Sequence, residues 1–276
     1  MLFLCLAIFS SAAISLLMRL SANKVTAKMS MLGINYLVCA ILAAGYAGFD
    51  FAPATQGLGF AVGIGAVSGL LYLSGFVLFG WNTAKNGIVL SSVFMKLGLL
   101  VPLVCSVVIF RETPGWLQAV GFVAALAAIV MLNWQTGEKS RFCWQLPAML
   151  FVCGGADVMS KVFETYGDPA LSEQYLFYTF LTALCACWLP AKRAKETPGK
   201  WEWLYGVALG IPNFFSAKFL LLALTELPSV VVFPSFSIAT MLITTVLGVV
   251  LFKERLRKWQ WVAVAIILAA LLLLNI

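Results

Sequence analysis

The 276-residue sequence contains no histidine, and charged residues make up only 11% of it. Without histidine there is no Ser-His pair for acyl transfer and no His-Glu-x-x-His metal motif. No pair of aspartates in the apolar runs suggests an intramembrane aspartyl protease. No Gly-x4-Gly-Lys loop is present to cradle a nucleotide phosphate, so direct ATP hydrolysis is not the expected driving force. The seven cysteines, at 5, 39, 105, 143, 153, 185 and 187, lie inside apolar runs. Cys185 and Cys187, two apart, point to different helix faces. They read as small packing residues, not as a disulfide or metal framework. Nothing resembles a linker or a low-complexity tail, and the longest polar stretch, 191–200, is a basic loop punctuated by Pro198 and Gly199. The expectation is a non-enzyme with no cofactor and no metal.

What the sequence has in excess is apolar surface. Hydrophobic residues make up 62% of it and the mean hydropathy is +1.00, more than a soluble fold could cover with polar groups. The net charge of +7 does not point to nucleic acid. Its basic residues sit in short loops between apolar runs, where a lipid bilayer is the partner. Spans are expected at 2–20, 29–48, 58–82, 87–109, 115–133, 143–163, 171–190, 201–224, 229–251 and 258–275, each near the roughly 17 to 25 residues a bilayer core needs. The first run has no basic leader and has an internal counterpart, so it is expected to remain as a span.

That counterpart comes from a repeat. Shifting the chain by 142 residues lays Phe110-Arg111-Glu112 on Phe252-Lys253-Glu254, Gln118 on Gln260 and Asn133 on Asn275. The same offset lays Arg19 on Lys161, Ser30 on Ser172, Tyr36 on Tyr178 and Ser74 on Ser216. A repeat of half the chain is a duplicated domain rather than a solenoid. The expected fold class is therefore all-α integral membrane, ten transmembrane helices in two five-helix repeats, residues 1–137 and 138–276. Because five is odd, the second repeat enters the membrane inverted, and such repeats place a substrate site near the midplane where they meet.

Loops after odd-numbered spans hold Arg19, Lys24, Lys28, Lys85, Lys139, Arg141, Lys192, Arg193, Lys195, Lys200, Lys253, Arg255, Arg257 and Lys258, and loops after even-numbered spans hold only Arg111 and Lys161. This asymmetry puts the odd loops in the cytoplasm and both termini outside.

Ten spans in two halves, with an apolar helix running into Phe-Lys-Glu-Arg-Leu at 252–256 and a degenerate Phe-Arg-Glu-Thr-Pro at 110–114, resemble the drug/metabolite transporter superfamily, EamA type. The resemblance covers the whole chain. It implies export or exchange of small metabolites, such as amino acids or their relatives, across a prokaryotic plasma (inner) membrane. In many relatives the termini are cytoplasmic, opposite to the charge count. The first span departs from the pattern: it lacks the family's Trp-Gly pair and the acidic residue that small multidrug pumps use for protons.

Polar groups inside spans are costly and mark candidate sites. Lys96 lies about ten residues, roughly 15 Å, from either end of the fourth span, too far to reach water along its own stem. It lines a cavity or bonds to carbonyls of a neighbouring helix. Ser92 is one turn earlier on the same face. In the eighth span, Pro212 frees a carbonyl beside Asn213. Ser216 and Lys218 follow, with Lys218 nearer the end marked by Glu226 and roughly 140° around the helix from Asn213. Tyr72, with Trp81, Tyr36 and Tyr178, could line a cavity, although aromatics in spans more often pack or anchor. Asp157, Lys161 and Glu164 share a face of the sixth span, either as a plain intrahelical ion pair or as a proton-responsive carboxylate tuned by lysine. Pro102 and Pro234 are expected to break their helices, with Ser235 and Ser237 bonding the freed carbonyls. Gly59-x3-Gly63, Gly65-x3-Gly69 and Gly206-x3-Gly210 are expected to allow close helix packing.

The expected function is secondary active transport, as exporter or exchanger, of a small organic metabolite by alternating access, with coupling to protons or another ion. The two deep lysines, Lys96 and Lys218, favour a substrate with an anionic group. The alternatives are a lipid or polyprenyl-carrier flippase and a non-transporting membrane scaffold.

Overall fold

A computed structural model describes residues 1–21, 24–86, 95, 98, 100–109, 111, 115–133 and 145–252, together with 262, 265, 266, 269, 270 and 273. Among the described residues there are helices and no strands, as a bilayer demands of a chain that must satisfy its own backbone hydrogen bonds. The elements are α1 (Leu2–Ser21), α2 (Lys28–Tyr46), α3 (Leu58–Asn86), α4 (Leu100–Val108) and α5 (Trp116–Asn133) in the first half. The second half has α6 (Gln145–Tyr166), a 3-10 turn (Pro169–Leu171), α7 (Ser172–Arg193), α8 (Lys200–Glu226) and α9 (Ser229–Phe252). Leu2–Ser21, Lys28–Tyr46, Leu58–Phe79 and Lys200–Glu226 are long and apolar enough to cross a membrane.

Helix ends follow local sequence. α2 finishes in a Schellman motif: Gly48 N–H reaches Gly45 O, Phe49 N–H reaches Ala44 O, and Gly48 takes the left-handed turn at φ +62°. α7 finishes in the same way, with Lys195 N–H on Lys192 O and Glu196 N–H on Ala191 O. There the left-handed position, φ +51°, is filled by Lys195 instead of glycine.

The prolines differ in effect. Pro212 and Pro234 lie inside continuous helices, α8 and α9. Pro102 falls in the first turn of α4, just after the turn at Gly98, so its missing N–H is not needed there.

The chain divides into two compact units, residues 1–73 with 159–225, and residues 74–158 with 226–276. Each takes one segment from either half of the sequence. In the first unit α2 packs along α7. Gly65 and Gly69 of α3 let that helix approach α7 closely: an added Cβ on Gly65 would come within 2.9 Å of Tyr175 O, and one on Gly69 would collide with Thr179 O. Gly206 and Gly210 do the same for α8 against α2, where Cβ atoms would stand 2.7 Å and 2.6 Å from Ile34 Cβ and Val38 Cβ. Gly59 and Gly63 have no such neighbour within 4 Å.

In the second unit α9 packs on α4 and α5, and Ile238 and Ala270 anchor a core with Phe122, Met241, Leu242 and Ile266. Gly98 and Gly154 form a further close crossing that their spacing does not announce: a Cβ on Gly98 would lie 3.1 Å from Gly154 N. Asn82 of α3 is wholly buried there and donates to Gln145 O of α6 at 3.2 Å.

Candidate functional site

In the first unit the polar residues of α8 do not meet at one point, because each finds a partner on a different element. Asn213 is buried and donates to Asn35 Oδ1 of α2 at 3.2 Å. Ser216, one turn on, is buried with its hydroxyl 3.5 Å from Ala7 O of α1. Lys218 reaches Glu173 in the first turn of α7, with Nζ 2.5 Å from Oε1. Its ammonium also lies 3.4 Å from the ring centroid of Tyr46, the last residue of α2, and 5.9 Å from that of Phe214. Glu173 is suited to its place, since a helix N-terminus favours a carboxylate. Its second oxygen, Oε2, is buried and receives no hydrogen bond among the described residues.

An aromatic chain links these groups. Tyr72 stands 6.4 Å from Phe180, Phe180 6.2 Å from Phe214, and Phe214 5.5 Å from Tyr46. Tyr36 stacks on Phe180 at 6.4 Å. The wall runs from the middle of α3 to the outer turn of α2 and ends at the Lys218–Glu173 pair. A second polar group lies on the far side of α7, where Tyr175 OH donates to Ser68 Oγ at 3.2 Å and Ser160 Oγ is 3.4 Å from the same hydroxyl. Phe163 stacks on that tyrosine at 4.4 Å.

On α6, Lys161 is buried and bonds to Glu164 Oε2 at 2.7 Å. Asp157, four residues earlier on the same helix, is half-buried and belongs to the other unit. Lys96 and Ser92 lie outside the described residues. In the second unit Pro234 is followed along α9 by buried Ser235, Ser237 and Thr240, and Thr240 Oγ1 receives and makes no hydrogen bond among the described residues.

Sequence reasoning passed over Glu173, Tyr46 and Asn35. Glu173 reads as an ordinary first-turn acid until α7 and α8 are placed side by side. Asn35 gave a usable signal, an amide in the middle of an apolar run. The opposite end of the unit was also missed. There Glu202 Oε1 accepts from Thr26 N at 3.0 Å and Ala27 N at 3.2 Å, its Oε2 from Gly199 N at 3.0 Å, and Glu196 Oε2 from Ser30 N at 2.8 Å. These two acids satisfy the open N–H groups at the start of α2, which has no side-chain cap of its own. Lys24 lies 4.7 Å over the Trp201 ring beside them.

Long apolar helices with buried amides and ion pairs define an integral membrane protein. Residues 144–276 match the EamA-like transporter family. Over that stretch, just under half of the chain, the sequence is similar to this family, which lies within the drug/metabolite transporter superfamily. A chain of Haemophilus influenzae, known only as an uncharacterized protein, is 25% identical over 280 residues, covering 96% of this chain and 94% of its own. A crystal structure of a protein of unstated activity has the same fold, with a TM-score of 0.73, 16% identity, and coverage of 99% of this chain and 98% of that one.

Proposed function

We propose that the protein is a secondary active transporter that exports or exchanges a small organic metabolite bearing an anionic group, by alternating access between two inverted five-helix repeats, residues 1–137 and 138–276. The family match over residues 144–276 carries the reading. Two packings support the repeat. Under the 142-residue offset α2 falls on 170–188, within and just ahead of α7, and α4 falls on 242–250, within α9. α2 packs on α7 and α4 on α9. Helices that pack on their own sequence equivalents are what a twofold-related pair of repeats produces.

The lysines supply the anion preference. Lys96 sits at midspan in the sequence, where a charge persists only with a partner or in a wet cavity. Lys218 is paired with Glu173, so a substrate carboxylate would compete with that acid for the ammonium. Asp157 and Lys161 are the proposed proton-responsive groups. Ser92, Asn213, Ser216 and Tyr72 are proposed to contact substrate, with Pro212 and Pro234 weakening the continuous helices in which they lie.

The test is the melting temperature of the detergent-purified protein against anionic, zwitterionic and cationic metabolites at two pH values. A ligand present at about 100 times its dissociation constant stabilises the folded state by roughly 2.7 kcal/mol. Anions are expected to raise it, and Lys96→Met is expected to abolish the rise. Stabilisation by cations alone that Asp157→Asn abolishes moves the site to Asp157, and indifference to every soluble metabolite favours a lipid substrate or a scaffold.

A further inference from the structure

Lys218 does not sit as lysines in helical ion pairs usually do. Its ammonium is held by one carboxylate oxygen, Glu173 Oε1, and lies over the face of one aromatic ring, Tyr46, with Phe214 as a second, more distant ring. A carboxylate combined with aromatic faces is how proteins bind free ammonium ligands. The three cage residues come from three helices, α2, α7 and α8. Lys218 enters on its own stem from α8, one turn beyond Phe214.

We propose that Glu173, Tyr46 and Phe214 form a binding site for the ammonium group of a primary amine solute, held in this conformation by the chain's own Lys218. Three observations carry this beyond a fixed ion pair. Glu173 presents a second oxygen, Oε2, that is buried and accepts nothing among the described residues, so the acid has capacity for another N–H donor. Tyr46 is exposed, leaving the ring side of the cage open at the end of α2. The lysine stem is flexible, and an ammonium on such a stem can swing away while the acid at the start of α7 and the rings at the end of α2 and the middle of α8 stay in place. The exchange is balanced in charge: one ammonium replaces another on Glu173, and the released Lys218 ammonium becomes available to an anionic group on the same solute. The inference rests on the transporter reading only in that last step, since binding at the cage is measurable without transport.

Purified full-length protein is titrated with n-propylammonium, tetramethylammonium, propionate and neutral propanol while its melting temperature is followed. Propylammonium is expected to stabilise the wild type; tetramethylammonium, unable to donate N–H bonds to Glu173, less so; propionate and propanol not through this site. Lys218→Ala removes the tethered competitor, so propylammonium is expected to act at a concentration about tenfold lower and to restore stability lost in the variant. Glu173→Gln is expected to end the ammonium response, and Tyr46→Leu, which keeps the lysine, to weaken it in a protein that still folds. A wild type indifferent to propylammonium, or a Lys218→Ala protein that gains nothing in sensitivity, overturns the proposal and leaves a structural ion pair. If Lys218→Ala cannot be purified, an undiminished response in Tyr46→Leu overturns it equally. The anion response that depends on Lys96 reports on the transporter reading separately, so each can fail without the other.

Discussion

At the scale of single residues, the apolar composition makes every buried polar group conspicuous, and most of those described have found a partner. The Asn35–Asn213 amide pair is one example, bridging two helices 178 residues apart in the chain. Replacing one amide leaves the other buried without its partner, which costs about 1–3 kcal/mol, whereas replacing both with apolar groups of the same shape is nearly neutral. Asn213→Leu is therefore expected to lower the stability of the protein by an amount in that range, and Asn35→Leu with Asn213→Leu to recover most of the loss, as read by denaturant unfolding in detergent. A double variant no better than the single one overturns the reading of this pair as a mutually satisfying bond. The sequence marked Asn213 through its neighbour Pro212, but not Asn35 or Glu173. A partner that lies on another helix leaves no periodic trace along its own.

Most of the described helices were legible from hydropathy, and their contacts only in part. Glycine spacing announced three small-residue stripes. Two of them mediate close crossings, Gly65/Gly69 on α7 and Gly206/Gly210 on α2, while Gly59 and Gly63 meet no neighbour within 4 Å. The Gly98–Gly154 crossing joins a lone glycine to one of the adjacent pair Gly154-Gly155, a pattern that has no period to detect. Helix ends were hidden for a different reason. The α7 terminus uses Lys195 in the left-handed conformation, φ +51°, which the sequence disguises because nothing but geometry marks the position. A side chain in that region costs about 1–2 kcal/mol relative to glycine. Lys195→Gly is accordingly expected to stabilise the protein by about 1 kcal/mol and raise its melting temperature. The capping acids Glu196 and Glu202 keep their bonds to Ser30, Thr26 and Ala27. A melting temperature lowered by this substitution would mean that the lysine side chain contributes more than its backbone strain costs.

At the scale of the molecule, the proposed duplication rests on matched residues at one offset, which need no structure to be seen. What it could not reveal is that the compact units would each draw on both halves of the sequence. Within the first unit, the charge asymmetry counted along the sequence acquires a spatial form. One end gathers Lys24, Lys28, Lys192, Arg193, Lys195 and Lys200. That end is knit together by Glu202 on Thr26 and Ala27 and by Glu196 on Ser30. The other end carries Asp50, Asp168 and Glu173, tied by Gln174 to Asp50 O at 3.0 Å and by Tyr178 to Phe51 O at 2.9 Å. Basic loops are retained in the cytoplasm, and acidic residues contribute little to that choice. The end holding the lysines should therefore be cytoplasmic, and the 47–57 loop should face outward, with the Glu173–Lys218 pair near it. Alkaline phosphatase is active only outside the cytoplasm, so a fusion after Pro53 is expected to be active and one after Glu196 inactive. The reverse pattern would put the pair near the cytoplasmic side and match the termini implied by the family resemblance. In that case an ammonium solute would meet the cage from within the cell.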